Sequence, residues 1–165
     1  MATIVLPNSL VKRIRREAER LGVSLDELLV EKLTTGLDPK DKALEYVETA
    51  QELLGQARKE LGKHDLRQAS EKIWGAAALA IKAHSLAAKG RRLTSHREIW
   101  SYIDQIEKEI GPWARDAFNA ANAMHTNFYE AWATRKHVED ALAKTERLVK
   151  AIRKAVQPNT KLETR

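Results

Sequence analysis

The chain has 165 residues, which is enough for one hydrophobic core with a small appendage. It carries 29 basic and 23 acidic residues, a net charge of +6, and no cysteine, so disulfides, thiol catalysis and cysteine-zinc sites are excluded. No apolar stretch approaches membrane-spanning length, so we expect a cytoplasmic protein with no membrane association. The many charged residues and the missing cysteine also fit a thermophile.

The first forty residues predict a short strand followed by two helices. Residues 2–6 form a β-prone run that a proline ends. Asn8 or Ser9 then caps a helix that stops at Gly22. The Ser24–Glu27 segment has the pattern of a capping box and opens a second helix.

A strand, a helix and a capped helix in this order resemble the ribbon-helix-helix dimerisation module. A single strand is not stable without a partner strand, so we expect residues 1–38 to dimerise the chain or to dock onto the main domain. The outward strand positions would be Thr3 and Val5. Because Val5 offers no hydrogen bond to a base edge, we do not expect this segment to read DNA.

Residues 39–157 are predicted to form an all-α, up-and-down helical bundle. Capping residues and glycine stops place its helices at residues 40–61, 65–89 and 95–110, followed by a helical pattern from Trp113 to Val156. That last pattern is long for one straight helix, so we expect a break between Phe128 and Thr134. Residues 158–165 are polar and are expected to form a flexible tail.

The excess positive charge lies near the C-terminal end of the sequence. Residues 135–165 hold nine basic and four acidic groups, a net charge of +5, whereas residues 1–39 are neutral. Such a basic helix can bind phosphate, or it can be an ordinary solvated helix face.

Two segments differ from ordinary helix sequence: Glu71–Ala77, with the sequence EKIWGAA, and Met124–Glu130, with the sequence MHTNFYE. Together with Ser95–His96 they resemble the PaREP family, a group of paralogous proteins of hyperthermophilic archaea. Over roughly residues 40–156 the bundle also resembles the HEPN superfamily, named for higher eukaryotes and prokaryotes nucleotide-binding.

The HEPN resemblance implies a bundle that commonly dimerises and that, in many members, is a metal-independent ribonuclease of toxin-antitoxin or other defence systems. The family motif is an Arg, then four to six residues, then a His, and two such motifs form one cleft across a dimer. The His acts as general acid or base on the ribose 2′-hydroxyl, and the Arg stabilises charge on the phosphate. His125 occupies the position of the family His.

The arginine of that motif is missing from the expected place. Residues 118–120, where the spacing requires it, are Phe, Asn and Ala, and the nearest upstream arginine is Arg115. Arg91 and His96 satisfy the spacing, but they lie before an earlier helix, and we interpret that match as chance. The sequence therefore leaves open whether the chain is an enzyme.

His125 fits two roles, a hydrogen-bonded histidine inside the bundle or a catalytic acid or base. On a helix, Asn122 and Tyr129 lie about one turn from it. An ion pair between Glu130 and Lys72 is also expected. This polar cluster is either a pocket or a buried network that fixes helix register. Its predicted members are Asn122, Asn127, Tyr129, Glu130 and Lys72.

The remaining candidates concern phosphate, stacking and metal. Arg115 is one phosphate-binding candidate, and Arg91, Arg92 and Arg97 are others, because they surround the start of a helix at His96. Trp74 is predicted as a core anchor, with base stacking as the alternative. No phosphate-binding glycine loop and no metal-ligand spacing occurs, so we expect no metal and no cofactor.

We therefore expect a homodimeric, HEPN-like protein that associates with RNA or a nucleotide, with a toxin-antitoxin or defence role. The alternative is a non-catalytic dimeric scaffold, or an antitoxin-like protein that binds a partner protein and whose polar cluster only fixes helix packing. The missing arginine favours the alternative for catalysis, and the basic last helix favours RNA for binding.

Overall fold

The computed structural model describes residues 2–157, and this part of the chain contains seven α-helices and no β-strand. The all-α fold class is as predicted. In chain order the helices are α1 (Asn8–Leu21), α2 (Leu25–Leu33), α3 (Pro39–Gly62), α4 (Leu66–Lys89), α5 (His96–Ile110), α6 (Trp113–Glu130) and α7 (Arg135–Val156). The predicted tail, residues 158–165, lies outside the described residues.

The helix ends follow the local signals in the sequence. The capping boxes of Ser24 and Ser95 both form. Each serine side chain accepts from the backbone N–H of the glutamate three residues on, and the carboxylate of that glutamate accepts from the backbone N–H of the serine. Gly22 and Gly90 end α1 and α4 in the left-handed conformation, with φ of +66° and +60°.

One predicted cap is wrong. The residue that precedes α1 is Pro7, and no side chain caps this helix end. The carbonyl oxygen of Pro7 already accepts from the backbone N–H groups of Leu10 and Val11, at 3.0 and 3.1 Å. Asn8 and Ser9 therefore lie inside the first turn, where their side chains cannot act as the cap.

The expected break in the last helical pattern lies between α6 and α7. Ala131 ends α6 with a left-handed φ of +53°. Asn127, which is 1% exposed, holds this junction: its side-chain oxygen accepts from the Ala133 backbone N–H at 2.6 Å, and its Nδ2 donates to Ser70 Oγ at 2.8 Å. A buried amide with both ends satisfied fixes where the chain turns.

Helix α4 is the centre of the bundle. It packs against α2, α3, α5, α6 and α7. Its many alanines allow these helices to approach closely, and Ala76, Ala77, Ala78 and Ala80 are fully buried. Trp74 is 1% exposed and its ring packs near Phe118, so it anchors the core as predicted. Every helix among residues 2–157 is too short or too polar to span a lipid bilayer.

The predicted N-terminal strand does not form in the single chain. Residues 2–7 have no regular secondary structure, and Ile4 and Val5 are 81% and 90% exposed. The physical reason is that a strand needs a ladder of hydrogen bonds to a neighbour, and the described part of one chain holds no other strand.

Helices α1 and α2 dock onto the bundle through acidic groups on α2. Glu27 is 1% exposed and lies 3.0 Å from Lys82, without a hydrogen bond directed at the oxygen that faces the lysine. Charge attraction rather than an aligned hydrogen bond therefore holds this buried pair. The other ion pairs across this interface are Asp26 with Lys72, Glu31 with Lys42 and Glu31 with Arg92. Dimerisation through this segment stays a prediction.

Candidate functional site

Two histidines from different helices meet beside a buried tryptophan. His96 begins α5 and His125 lies in the last third of α6. Their ring centroids are 5.5 Å apart, and they lie 5.0 and 5.1 Å from the ring centroid of Trp74. We call Trp74, His96, Asn122, His125 and Tyr129 the two-histidine site.

His125 is half-buried and reaches the surface beside Tyr129, whose ring meets it edge-on at 5.6 Å. No described residue hydrogen-bonds its ring nitrogens. Burial lowers the pKa of the His125 imidazole, and nearby His96 lowers it further, while the carboxylate of Glu27 acts in the opposite direction. At neutral pH the ring is therefore an uncharged base with a free lone pair.

His96 has two partners that compete for one nitrogen. Its Nε2 lies 3.0 Å from Asn122 Oδ1 and 3.0 Å from Trp100 Nε1. With a proton on Nε2 the ring donates to Asn122, and without that proton it accepts from the indole N–H of Trp100. His96 Nε2 therefore has a hydrogen-bond partner in either tautomer of the ring.

A cavity of about 220 Å³ lies next to this pair and shares Tyr129 with it. We call it the Tyr129 cavity. Helices α1, α2, α4 and α6 enclose it, so the docking of α1 and α2 completes its wall. Burial raises the pKa of the Glu71 carboxyl, and neighbouring Lys72 opposes the rise. The polar residues that line the Tyr129 cavity are Arg15, Glu19, Gln68, Glu71 and Lys72.

The predicted polar cluster is only partly brought together. Asn122 contacts His96, and Tyr129 contacts His125. Asn127 holds the junction between α6 and α7 instead, because two residues along a helix correspond to a turn of about 200°, which places it on the face opposite His125.

The expected ion pair between Lys72 and Glu130 does not form. Lys72 Nζ donates to Asp26 Oδ2 at 2.7 Å, because the docking of α2 brings that carboxylate over α4. Glu130 is exposed at the end of α6. Lys72 lines the Tyr129 cavity next to the two-histidine site, whereas Glu130 does not line it.

The arginines predicted to bind phosphate do not converge on the two-histidine site. Arg115 donates to Glu107 at 2.8 Å and pairs with Asp104, and it lies ten residues, or about 15 Å along α6, from His125. Arg91 pairs with Glu98, and Arg92 with Glu31. Arg97 is exposed and forms no ion pair within residues 2–157.

Sequence reasoning missed two parts of the site. It treated His96 as a residue of a helix start, whereas the ring contacts His125 and Trp74. A signal was present, because all three residues lie in the segments that carry the family resemblance. It also missed Arg15, which lines the Tyr129 cavity from α1. The signal in the sequence that could have indicated this residue is the basic run Lys12–Arg16.

The side chains of the site can exchange protons and carry charge. Within residues 2–157 no group of three or more His, Cys, Asp or Glu side chains is placed to hold a metal ion. Two imidazoles within reach of one ligand atom, one of them uncharged at neutral pH, can serve as base and acid in the same reaction. Trp74 Nε1 is a buried donor with no partner among the described residues.

Comparison with known proteins gives one match. The sequence model of the archaeal PaREP1/PaREP8 family matches residues 45–149, which include Trp74, His96 and His125. Helices α1 and α2 lie outside the matched range. No curated protein and no solved structure matches the chain.

Proposed function

This chain belongs to the archaeal PaREP1/PaREP8 family, and from that premise we propose that it is a HEPN-like protein that binds RNA and cleaves it without a metal ion. The observation that carries the proposal is the pair of imidazoles of His96 and His125, 5.5 Å apart at the protein surface. Two histidines at this separation match the two proton transfers that cleavage of an RNA phosphodiester requires.

In the proposed reaction, uncharged His125 takes the proton of the ribose 2′-hydroxyl while that oxygen bonds to phosphorus. The bond between phosphorus and the 5′ oxygen breaks, and protonated His96 gives its proton to that leaving oxygen. The products are a 2′,3′-cyclic phosphate end and a 5′-hydroxyl end. Water then returns the two histidines to their starting protonation states. No metal or cofactor takes part.

Charge for the phosphate comes from residues outside the family motif. Arg15 and Lys72 line the Tyr129 cavity, and Tyr129 itself contacts His125. We assign Arg15 the role of the missing motif arginine, because a cation near the scissile phosphate stabilises the charge that develops there, whereas Asp26 already neutralises Lys72.

Exposed aromatic rings beside the histidines supply stacking surfaces for bases. Tyr129 is 52% exposed and Trp100 is 40% exposed, and each contacts one of the two histidine rings. Stacking of one base on an aromatic side chain contributes about 1–3 kcal/mol and tolerates any sequence. We therefore expect single-stranded RNA to be the preferred ligand.

A homodimer is part of the proposal. Large apolar side chains at the N-terminal end are exposed in the single chain, among them Ile4, Val5, Leu33 and Leu37. A second copy that pairs with residues 2–6 would cover the first two and would give the β-prone segment the partner strand that it lacks.

The test uses the purified chain and end-labelled single-stranded RNA in EDTA. We expect cleavage products that end in a 2′,3′-cyclic phosphate, and no cleavage of the same oligonucleotide with 2′-deoxyribose throughout. Intact RNA after prolonged incubation with folded protein would contradict the catalytic part of the proposal. Equal cleavage of the deoxy oligonucleotide would contradict the 2′-hydroxyl mechanism.

The second candidate is a non-catalytic dimeric scaffold or antitoxin-like protein. It is supported by the absence of arginine at residues 118–120 and by the ion pairs that hold α2 on the bundle. In that case His125→Ala would lower the melting temperature, and neither the wild type nor the variant would cleave RNA.

A further inference from the structure

A third histidine lies at the opposite end of α4. His84 follows Trp74 by ten residues, which is about 15 Å along the helix. It is 2% exposed, and both ring nitrogens have partners: Tyr102 OH lies 3.0 Å from Nδ1 and Glu109 Oε2 lies 2.8 Å from Nε2. One uncharged tautomer satisfies both contacts, with Nε2–H donating to Glu109 and Nδ1 accepting from the tyrosine hydroxyl.

This arrangement holds Glu109 as an anion at the edge of the protein. His84 donates to one carboxylate oxygen, and Gln105 Nε2 donates to the other. These contacts lower the pKa of Glu109, with the Gln105 hydrogen bond as the larger cause and His84 as the next favourable one. Each oxygen keeps one lone pair for a ligand.

The Glu109 carboxylate lines a cavity of about 550 Å³ between α3, α4, α5 and α7. We call it the His84 cavity. This volume lies within the range of small-molecule sites, about 300–1,000 Å³. Most of its lining is apolar, and Lys40 and Asp41 stand at its exposed rim with opposite charges. The apolar lining residues are Leu44, Ala87, Ala88, Ala155 and Val156.

The helix ends around this cavity favour positive charge. Residues from the last turns of α4, α5 and α7 line it, whereas only α3 points its N-terminal end at it. Carbonyl groups at a helix C-terminus carry a partial negative charge equivalent to about half an elementary charge. Three such ends and Glu109 outweigh one N-terminus. Of the nearby cations, Lys40 is matched by Asp41 at the rim, and Lys89, which also lowers the pKa of Glu109, holds its ammonium 5.5 Å from the ring centroid of Tyr102.

We propose that the His84 cavity binds a small amphipathic amine, with its ammonium group on Glu109 and its apolar body against Leu44 and the neighbouring alanines. His84 is a positioning residue in this site, because it orients the carboxylate and faces the core with its other nitrogen. The proposal is independent of RNA cleavage, since the two sites share no residue.

The test is isothermal titration calorimetry with three probes that share one phenethyl group: phenethylamine, phenethyl alcohol and hydrocinnamate. We expect the amine to bind at least about tenfold more tightly than the alcohol, because a hydrogen bond to a charged group contributes about 1.5–3 kcal/mol. Hydrocinnamate should bind most weakly of the three, because Glu109 repels its carboxylate.

Two variants and one control locate the binding. Glu109→Gln keeps the shape of the side chain and should remove the preference for the amine. Ala155→Phe should block all three probes, and Ala155 is exposed, so the fold tolerates the larger ring. Glu48→Gln removes an exposed charge from α3 outside the cavity and should change nothing. Equal affinity for amine and alcohol, or full amine binding by Glu109→Gln, would overturn the proposal.

Discussion

The two ends of α4 use histidine in opposite ways. At one end His84 is buried and both of its nitrogens have partners in the bundle. At the other end His125 is half-buried, its nitrogens have no partner among the described residues, and His96 must choose between two partners. A satisfied imidazole orients its neighbours, whereas an unsatisfied one can exchange a proton with a ligand. This difference is the basis on which we propose proton chemistry at the His125 end and ligand orientation at the His84 end.

The two ends also differ in what completes them. The His84 cavity is built from the main bundle alone. The Tyr129 cavity needs Arg15, Ala18 and Glu19 of α1 and Leu25 of α2 for one wall. Undocking of α1 and α2 should therefore damage the His125 end and spare the His84 end.

The largest expected effect comes from Lys82→Met, which tests that dependence. The change leaves Glu27 as a buried charge without its partner, and such a loss costs about 3–5 kcal/mol. We expect the free energy of unfolding, measured by urea denaturation, to fall by that amount, and hydrogen exchange of α1 and α2 to speed up. Phenethylamine binding at the His84 cavity should stay unchanged.

Lys32→Met is the matched control, since Lys32 pairs with Glu17 at the surface, where its side chain is 48% exposed. It should change stability by less than about 1 kcal/mol. If Lys82→Met is as stable as this control, the buried pair does not hold α2 in place.

The next effect is on RNA affinity, and it separates Arg15 from Arg115. Arg15→Gln removes a cation from the Tyr129 cavity, so we expect about three- to tenfold weaker binding and a smaller dependence on salt. Arg115→Gln should leave affinity unchanged, because Glu107 and Asp104 already neutralise that side chain. Fluorescence anisotropy with labelled RNA at two salt concentrations measures both. If Arg115→Gln lost more RNA affinity than Arg15→Gln, Arg115 rather than Arg15 would be the arginine that binds the phosphate.

The smallest effect is a dependence of stability on pH at the His125 end. The folded-state pKa of His125 lies below its ordinary value of 6.5, so the unfolded chain binds more protons between the two values. This contribution to stability is complete above pH 6.5 and is lost as the pH falls through the folded-state pKa. We expect His125→Gln to remove about 1–2 °C of the drop in melting temperature between pH 8 and pH 5.

His64→Gln is the control for that experiment, because the His64 ring lies on the connection between α3 and α4, away from the two-histidine site. The melting temperature of His64→Gln should fall between pH 8 and pH 5 by as much as that of the wild type. If the melting temperature of His125→Gln falls with pH as much as that of the wild type, burial does not disfavour the charged imidazole.

The sequence predicted the helices well because their ends are decided locally. Capping boxes at Ser24 and Ser95, and left-handed glycines at positions 22 and 90, act within one turn of chain. The N-terminal strand was not predictable in this way, because strand formation depends on a partner that a local pattern does not contain. The family was also recognised from two short segments, and the match over residues 45–149 confirms it.

The site was only half predictable, because tertiary packing decides which helix faces meet. Asn122, His125 and Tyr129 share one helix, and helical spacing alone brings them near each other. The contact of His96 with His125 joins residues 29 apart in the sequence across two helices, and no local spacing specifies it. Lys72 meets Asp26 rather than Glu130 for the same reason, since α2 docks over α4.

The most direct test compares His125→Ala, His96→Ala and His84→Ala for RNA cleavage and thermal stability side by side. We predict that the first two lose about 10²–10⁴-fold in cleavage rate and little stability. His84→Ala should lose about 2–4 kcal/mol, because Tyr102 is left without its partner, yet cleave at nearly the wild-type rate while folded. Wild-type cleavage by folded His125→Ala, or loss of cleavage only in His84→Ala, would contradict the assignment of proton chemistry to the His125 end.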